Sequence, residues 1–307
     1  MSAAPLASYA FEPLDEGVLA AIARPDGVGV CNSGLVDLGG PPIVFDTSLT
    51  RQSARELWDG TVRTFGRPPA LAANSHWHLD HSLGNQAFAA IPIWGTRRTR
   101  EILLEKRDEL MAELRISELD KEIRGLESQR AAMPSADAQR DLDLVLQINR
   151  ALLQDAGSVS VTPPDLTFET RQRLPGTRGA ELICFGKGHT EADAILHLPR
   201  ERLVFAGDLV CIGVQPSMQS GDPEHWQTVL DDIEKLAPER VVPGHGPVIP
   251  LGRVQECRDY LSGVLAAAEG RERAPLPMSL RRWEGSVSLE GNLKFARQWL
   301  ADRRRRG

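Results

Sequence analysis

Short apolar runs alternate with turn-forming residues in the first part of the chain. The turns contain Pro25-Asp26-Gly27 and the glycine and proline residues of 39–42, and such breaks are typical of connections between strands. The runs therefore predict a β-meander with strands at 18–23, 28–31, 35–38 and 43–45. A helix is expected at 49–65 and a further buried strand at 69–73.

The second half of the chain repeats one pattern, in which an apolar run leads to a polar residue beside glycine. The three runs are 182–185 before His189, 202–207 before Asp208, and 240–242 before His245. Each run predicts a buried strand that delivers the polar side chain to its end. Helical patterns at 253–269 and 287–300 follow, so the whole chain is predicted to be of the α/β class.

Residues 97–157 are rich in helix formers and differ from the strand-rich sequence around them. Leucine and isoleucine at helical spacing predict one helix at 97–130, and Ser135 is a candidate cap for a second helix at 136–156. The two helices would form a hairpin, which is far longer than an ordinary connection. Three interpretations stay open: a packed surface element, a lid over a site, or an arm that joins two copies in a homodimer.

The composition favours an ordinary globular protein, with 41% hydrophobic residues and a net charge of −6. This charge gives no reason to expect a nucleic-acid partner, which usually requires a basic face. The start of the chain lacks the basic and apolar pattern of a signal peptide, and no apolar run approaches the ~18 residues of a membrane helix. We therefore expect a cytoplasmic location, no membrane partner, and four reduced cysteines.

Three histidines and an aspartate occur within six residues, directly after the predicted strand at 69–73. In extended backbone His76, His78 and Asp80 project to one side, and a turn at Asp80 can bring His81 to the same place. Imidazole and carboxylate ligands together suit zinc, iron or manganese better than calcium or magnesium. The cluster therefore predicts a metal-binding loop, followed by a helix at 82–90 for which Ser82 is a candidate cap.

Further ligands are expected from His189, Asp208 and His245, because one loop supplies too few for a complete site. Asp46, at the end of the strand at 43–45, has two open interpretations. It could accept a hydrogen bond that steadies the metal loop, or it could cap the following helix. His197 lies inside an apolar run and is interpreted as structural, and we assign no catalytic role to His225.

Four motifs in this order resemble those of the metallo-β-lactamase-fold hydrolase superfamily. They are the His-x-His-x-Asp-His sequence at 76–81, Gly-His-Thr at 188–190, Gly-Asp at 207–208 and Gly-His-Gly at 244–246. The resemblance implies a four-layer αββα sandwich of two mixed β-sheets, here as one domain over 1–307 with the helical hairpin inserted at about 97–157. It also implies two zinc ions, with iron or manganese as alternatives. The implied ligands are His76, His78 and His189 for the first ion, Asp80, His81 and His245 for the second, and Asp208 for both.

The resemblance implies a hydrolase in which a hydroxide that bridges the metals attacks a small substrate, because a zinc-bound water ionises near pH ~7. Asp80 is the candidate catalytic residue. Asp208 stands where the best-known β-lactamases have cysteine, which resembles the glyoxalase-II, lactonase and nuclease branches. Hydrolysis of an ester, thioester or lactone is therefore preferred. A β-lactamase-type amide hydrolase, a mononuclear iron sulfur dioxygenase and a binding protein without activity remain as alternatives.

Overall fold

The computed structural model describes residues 7–133, 136–270 and 289–306. The chain divides into two compact units, Met1–Phe168 and Glu169–Gly307, and each unit contains one β-sheet. The prediction of one domain over 1–307 concerns how these units combine, and it stays a prediction.

Among the described residues of the first unit, seven strands form one mixed sheet in chain order. They are β1 (Tyr9–Asp15), β2 (Val18–Ala23), β3 (Ser33–Asp37), β4 (Pro42–Phe45), β5 (Leu71–Ala73), β6 (Ile93–Thr96) and β7 (Leu166–Phe168). The first four strands are antiparallel, and β4 to β7 run parallel to one another. Because β4 and β5 are parallel, with Phe45 paired to Ala73, the residues that follow both strands meet at one edge of the sheet.

Helix α1 (Arg51–Phe65) follows β4 and buries Ala54 and Leu57 in a core with Leu35 and Val44 of the sheet. Its first turn is closed by Thr50, whose hydroxyl accepts a hydrogen bond from the backbone nitrogen of Ser53 at 3.1 Å. Such a cap typically contributes about 1 kcal/mol to helix stability. The helix predicted at 49–65 is confirmed, and Thr50 rather than Asp46 caps it.

The predicted strand at 28–31 is wrong, because these residues lie outside the sheet ladder. They pack against the start of β1, where a Cβ added to Gly29 would come within 2.8 Å of the Tyr9 ring. The side chain of Asn32 accepts a hydrogen bond from the backbone nitrogen of Ala23 at 2.9 Å and closes the turn. The apolar residues are therefore buried without pairing as a strand. Strand β1 was not predicted, and it contains Pro13, a residue that is uncommon inside strands and interrupts the alternation of buried and exposed positions.

Four helices occupy the segment that was predicted to contain two: α3 (Arg97–Glu105), α4 (Arg107–Glu113), α5 (Ile116–Ala132) and α6 (Ala136–Asp155). The breaks have a packing reason. On one straight helix Leu114 and Leu119 would point about 140° apart, yet both are buried in the same apolar cluster. Helices α5 and α6 form a hairpin joined by an Arg150–Glu127 ion pair of 2.7 Å. The predicted break and cap at 134–135 lie outside the described residues.

The second unit contains six described strands in the order β13-β12-β11-β10-β9-β8, of which only β11 and β12 are parallel. The strands are β8 (Arg171–Arg173), β9 (Glu181–Cys184), β10 (Ala194–Leu198), β11 (Leu203–Phe205), β12 (Arg240–Val242) and β13 (Ile249–Pro250). Helices α7 (Pro223–Lys235), α8 (Val254–Ala268) and a C-terminal helix (Leu289–Arg306) share an apolar core with this sheet. The helix patterns predicted at 253–269 and 287–300 are confirmed, except for 287–288, which lie outside the described residues.

None of the helices in the described ranges has the length and apolar character needed to cross a membrane.

Candidate metal centre

The loop after β5 brings the four predicted ligands of the first unit together. The rings of His76 and His78 lie 4.7 Å apart, and those of His76 and His81 lie 4.3 Å apart, measured between centroids. Asp80 Oδ2 lies 3.4 Å from His81 Nε2. His76 and His81 are fully buried, whereas His78 and Asp80 are partly exposed. The loop therefore presents imidazole and carboxylate groups as one compact donor cluster.

The helix after this loop differs from the prediction at 82–90. A short helix α2 (Leu79–Ser82) starts inside the ligand motif, and a 3₁₀ helix follows at Leu83–Phe88. Ser82 occupies the N-cap position of this 3₁₀ helix, but its side chain makes no cap hydrogen bond, because the hydroxyl is directed to the backbone oxygens of Trp77 at 3.1 Å and His78 at 2.9 Å. The turn that begins at Leu79 places His81 beside His76.

Asp46 holds this loop from the neighbouring strand end. Its Oδ1 accepts a hydrogen bond from the backbone nitrogen of Ser75 at 2.7 Å, and its Oδ2 accepts from the Ser75 hydroxyl at 2.8 Å. The same Oδ2 lies 2.9 Å from His81 Nδ1. Asp46 has a left-handed φ of 62°, an uncommon conformation for aspartate that often accompanies a functional role. Of its two interpretations, the structure supports the contact with the metal loop.

These contacts assign the tautomers of two imidazoles. A carboxylate only accepts hydrogen bonds, so His81 Nδ1 must carry the hydrogen that faces Asp46. The Ser75 hydroxyl has one hydrogen and gives it to Asp46, so it accepts from His76 Nδ1 at 2.9 Å. In both histidines Nε2 is therefore the nitrogen with a lone pair available for a metal.

A buried amide network that the sequence analysis did not identify supports the same loop. Asn74 and Asn85 are fully buried and exchange hydrogen bonds of 3.0 and 2.8 Å through their side chains. Asn74 Nδ2 also donates to the backbone oxygen of His81 at 2.9 Å, and Thr47 Oγ1 donates to Asn85 Oδ1 at 2.8 Å. Asn74 directly precedes the ligand motif, but its partners are set by the fold and cannot be read from neighbouring residues.

Cys31 makes another contact with the metal loop, donating from Sγ to the backbone oxygen of Asp80 at 2.9 Å. Burial raises the pKa of the Cys31 thiol to about 11, so the thiol stays protonated and suits this donor role. The prediction of free cysteines is confirmed, since none of the four is in a disulfide: Cys31, Cys184, Cys211 and Cys257.

In the second unit, the carboxylate of Asp208 lies between two histidines. Its Oδ2 is 3.4 Å from His189 Nε2, and its Oδ1 is 3.2 Å from His245 Nε2. Asp208 follows β11 and His245 follows β12, and these two strands are parallel neighbours. Their carboxyl ends therefore deliver both side chains to one edge of the sheet. Each oxygen of one carboxylate faces a different imidazole, which is the arrangement expected of a ligand shared by two ions.

Asp193 holds the loop that carries His189, and the sequence analysis did not identify it. Its carboxylate accepts hydrogen bonds from the backbone nitrogens of Gly188 at 3.1 Å and Thr190 at 2.9 Å, and from the Thr190 hydroxyl at 2.7 Å. Burial raises the pKa of Asp193, while these donors act in the opposite direction. The ring of Trp226 packs against His189 with a centroid distance of 5.2 Å. The imidazole of His189 is thus fixed from two sides.

The glycine before His245 is required by close packing. A Cβ added to Gly244 would come within 2.0 Å of Asp208 Oδ1. The backbone nitrogen of Gly244 also donates to the oxygen of Gly207 at 2.8 Å. The Gly-His-Gly sequence therefore lets the two ligand-bearing turns lie against one another.

The two remaining histidines are placed as predicted. His197 is buried within β10, paired in register with Glu181 of β9. His225 lies in the first turn of α7, where Nδ1 is 2.6 Å from the backbone oxygen of Lys187. Asp222 and Pro223 begin this helix, as the sequence indicates. Among the described residues, neither histidine belongs to a group of side chains suited to hold a metal.

The donor chemistry fits a divalent transition metal. Each of the seven predicted ligands belongs to a group of histidine and carboxylate side chains close enough to hold a metal ion. Mixed imidazole and carboxylate donors suit zinc, iron or manganese, whereas calcium and magnesium prefer oxygen alone. The predicted residues therefore form groups that could bind divalent metal ions.

Comparison with known proteins agrees with this donor set. The family model described as the Metallo-beta-lactamase superfamily matches residues 26–245, which is more than half of the chain. The chain belongs to this superfamily, whose members are generally metal-dependent hydrolases. The matched range contains all seven predicted ligands.

Solved structures show the same fold at low sequence identity. A metallo-beta-lactamase from Pontibacter korlensis is 16% identical with a TM-score of 0.58, over 83% of this chain and 99% of that chain. The metallo-beta-lactamase FIM-1 from Pseudomonas aeruginosa, in its mono-zinc form, is 16% identical with a TM-score of 0.57, over 84% and 96%. One from Hirschia baltica is 14% identical with a TM-score of 0.55, over 80% and 94%.

These comparisons confirm the predicted fold class of two mixed β-sheets with flanking helices. That the helical segment is an insertion relative to the family stays a prediction.

Proposed function

We propose that this protein is a zinc-dependent hydrolase that cleaves an ester, thioester or lactone bond of a small substrate. The observation that carries the proposal is the placement of Asp208, whose two oxygens face His189 and His245 at 3.4 and 3.2 Å. A carboxylate placed in this way suits two ions better than one. Family membership supports hydrolysis as the reaction class.

We assign the seven ligands to two ions as the family resemblance implies. The first ion is held by three imidazoles, the second by two imidazoles and a carboxylate, and Asp208 serves both: His76, His78 and His189; Asp80, His81 and His245; Asp208. Iron and manganese remain alternatives to zinc, because they accept the same donors.

The protein groups have separate roles in this mechanism. When bound, the metal supplies a Lewis acid and makes hydroxide available near neutral pH. Asp46 and Ser75 hold the hydrogens of His81 and His76 on Nδ1, which leaves Nε2 of each ring for the metal. Asp80 Oδ2 faces His81, so we assign Oδ1 to orient the attacking water and accept its proton. Asp80 is partly exposed, as a group that exchanges protons with solvent should be.

Amide hydrolysis of the β-lactamase type is the second candidate, because the similar solved structures include proteins named as metallo-beta-lactamases. Their identities of 16% support the fold and leave the substrate open. The best-known β-lactamases are expected to have cysteine at the position of Asp208. Aspartate at this position favours ester, thioester or lactone substrates over β-lactams. A mononuclear iron dioxygenase is the third candidate, and the same site residues would serve it.

A substrate panel tests the proposal. The protein is loaded with zinc, iron or manganese and assayed on lactones, thioesters, cephalosporins and phosphodiesters, with oxygen uptake recorded in parallel. We expect hydrolysis of a lactone, ester or thioester by the zinc form, and loss of that activity in Asp208→Ala. Cephalosporin hydrolysis alone would favour the second candidate. Oxygen uptake by the iron form, without hydrolysis by any form, would contradict a hydrolase.

A further inference from the structure

Trp77 lies between His76 and His78 in the ligand motif, where the chain bends after β5. It is 8% exposed, although His78 beside it is only partly buried. Burial of Trp77 therefore anchors the ligand motif at its centre.

The anchor is the helical segment, Arg97–Asp155. Trp77 belongs to an apolar cluster in which most other members come from this segment and the chain that follows it. The buried members are Leu83, Ile102, Leu103, Leu110, Leu114, Leu119, Leu152, Val159 and Val161. Helices α3 to α6 all contribute, and the helix breaks described above are what allow α4 and α5 to face the same cluster.

Two further contacts fix the indole ring. Lys106, at the junction of α3 and α4, places Nζ 4.8 Å from the Trp77 ring centroid, within the range of a cation–π interaction. The Trp77 and His78 rings meet edge to face with centroids 4.5 Å apart. Lys106, Trp77 and His78 thus form a continuous row from the helical segment to a predicted ligand.

The helical segment is itself tied to the body of the first unit. The backbone nitrogen of Arg51, at the start of α1, donates to Asp155 at the end of α6 at 3.0 Å, and its guanidinium donates to the Ser158 hydroxyl at 2.6 Å. Gln147 donates to the backbone oxygen of Asp26 at 3.1 Å. The segment is therefore fastened to the body of the first unit through α6 and the residues directly after it, which lets it transmit rigidity to the loop on which it packs.

We propose that Trp77 is a positioning residue, and that the helical segment uses it to hold the metal loop in its ligating conformation. With the indole held, the backbone at His76 and His78 cannot rotate, so both imidazoles stay aimed at the metal. The role of the segment as a brace is distinct from that of a lid or a dimerisation arm. This inference rests on the proposed function, in which both histidines are ligands.

Zinc affinity tests the proposal with a matched control. Trp77→Ala is compared with Ile123→Ala, which truncates a buried residue on α5 outside the cluster that contains Trp77. Urea unfolding of the metal-free proteins measures the stability that each variant loses, and competition with a chromophoric chelator measures zinc affinity. We expect Trp77→Ala to weaken zinc binding about 10-fold or more, a typical loss when a ligand's support is removed. Ile123→Ala should stay within about twofold of wild type, because residues without shared partners usually act independently.

Conservative variants separate positioning from folding. Trp77→Phe keeps an aromatic ring in the cluster and should recover most of the zinc affinity. Lys106→Met keeps the aliphatic stem but removes the charge, and should weaken zinc binding by only about two- to threefold. If Trp77→Ala does not fold, Lys106→Met decides the matter: wild-type zinc affinity in that variant would overturn the proposal. Equal losses of zinc affinity in Trp77→Ala and Ile123→Ala would overturn it as well.

Hydrogen exchange of the metal-free protein distinguishes failure of this inference from failure of the proposed function. Wild-type protein that binds no zinc would contradict the proposed function. The positioning role of Trp77 would then be judged by exchange alone, because Trp77→Ala should accelerate amide exchange at 74–82 and Ile123→Ala should not. Equal exchange at 74–82 in the two variants would show that Trp77 has no specific role in holding the loop.

Discussion

Asp46 Oδ2 lies 2.9 Å from Nδ1 of His81, with both side chains buried. The whole of α1 and β5 lies between the two residues in the sequence, yet they meet because β4 and β5 are parallel neighbours. The contact assigns the tautomer of His81, and through Ser75 the same carboxylate assigns that of His76. One buried acid thereby prepares two imidazoles for metal binding.

Asp46→Asn should weaken metal binding by about 10- to 100-fold while the fold is kept, since that is the usual effect of losing a ligand's hydrogen-bond partner. An amide can donate to Nδ1, which favours the tautomer with hydrogen on Nε2 and blocks the ligand atom. Chelator competition measures the affinity. Asp26→Asn, in an exposed pair with Arg24, is the control and should match wild type. Unchanged affinity in Asp46→Asn would contradict the tautomer assignment.

Gly244→Ala should displace the carboxylate of Asp208, because the added Cβ would lie 2.0 Å from Oδ1. We expect reduced metal content with secondary structure retained, as measured by elemental analysis and circular dichroism. Gly252→Ala is the matched control, since no atom lies within 4 Å of its added Cβ. If the two variants hold equal amounts of metal, the close contact between these turns has no bearing on the site.

The ligands could be predicted from sequence because their signals are local. The spacing of His76, His78 and Asp80 and the glycines beside His189 and His245 are visible without knowledge of the fold. The supports could not be predicted in the same way. Asp46 had two open roles until β4 and β5 were seen to be neighbours.

The helix breaks show the same limit for the fold. Leucine spacing predicts helix throughout 97–130, and the helical prediction is correct for most of these residues. The breaks near Lys106 and Arg115 accompany the burial of side chains from successive helices in one cluster with Trp77, which lies before the segment in the sequence. Tertiary packing overrides local propensity at such points.

His197 gives a pH dependence of stability with a defined sign. Burial holds the pKa of its imidazole below the ordinary value, an effect that Glu181 opposes and Arg171 reinforces. The unfolded chain therefore takes up a proton at higher pH than the folded chain does. The stability that neutral His197 provides is present above pH ~6.5 and is lost as the pH falls below it.

Urea unfolding of metal-free protein between pH 7.5 and 5.5 checks this sign. Wild type should lose more stability over the interval than His197→Gln, which has no ionisable group at this position. Equal losses of stability in wild type and His197→Gln would show that the folded and unfolded states bind the proton of His197 equally.

A homodimer through the helical segment remains the partner prediction. Leu104 on α3 and Ile116 at the start of α5 are exposed by 50% and 57%, so both apolar side chains are accessible to a second copy. If the segment joins two copies, changing both residues to glutamate should convert a dimer into a monomer, because charge would enter an apolar contact. Light scattering during gel filtration gives the mass. A monomeric wild-type protein would contradict the homodimer prediction. It would not affect the proposal that the helical segment holds the metal loop through Trp77.

Native mass spectrometry of zinc-loaded protein counts the ions held by each chain and so distinguishes a binuclear centre from a mononuclear one. We expect two ions for wild type. We expect one ion for His245→Ala, which removes a ligand of the second ion only, and weakened retention of both in Asp208→Ala, because a shared carboxylate serves both. A wild type that retains fewer than one ion per chain, or an Asp208→Ala variant that retains two, would contradict a binuclear centre built on Asp208.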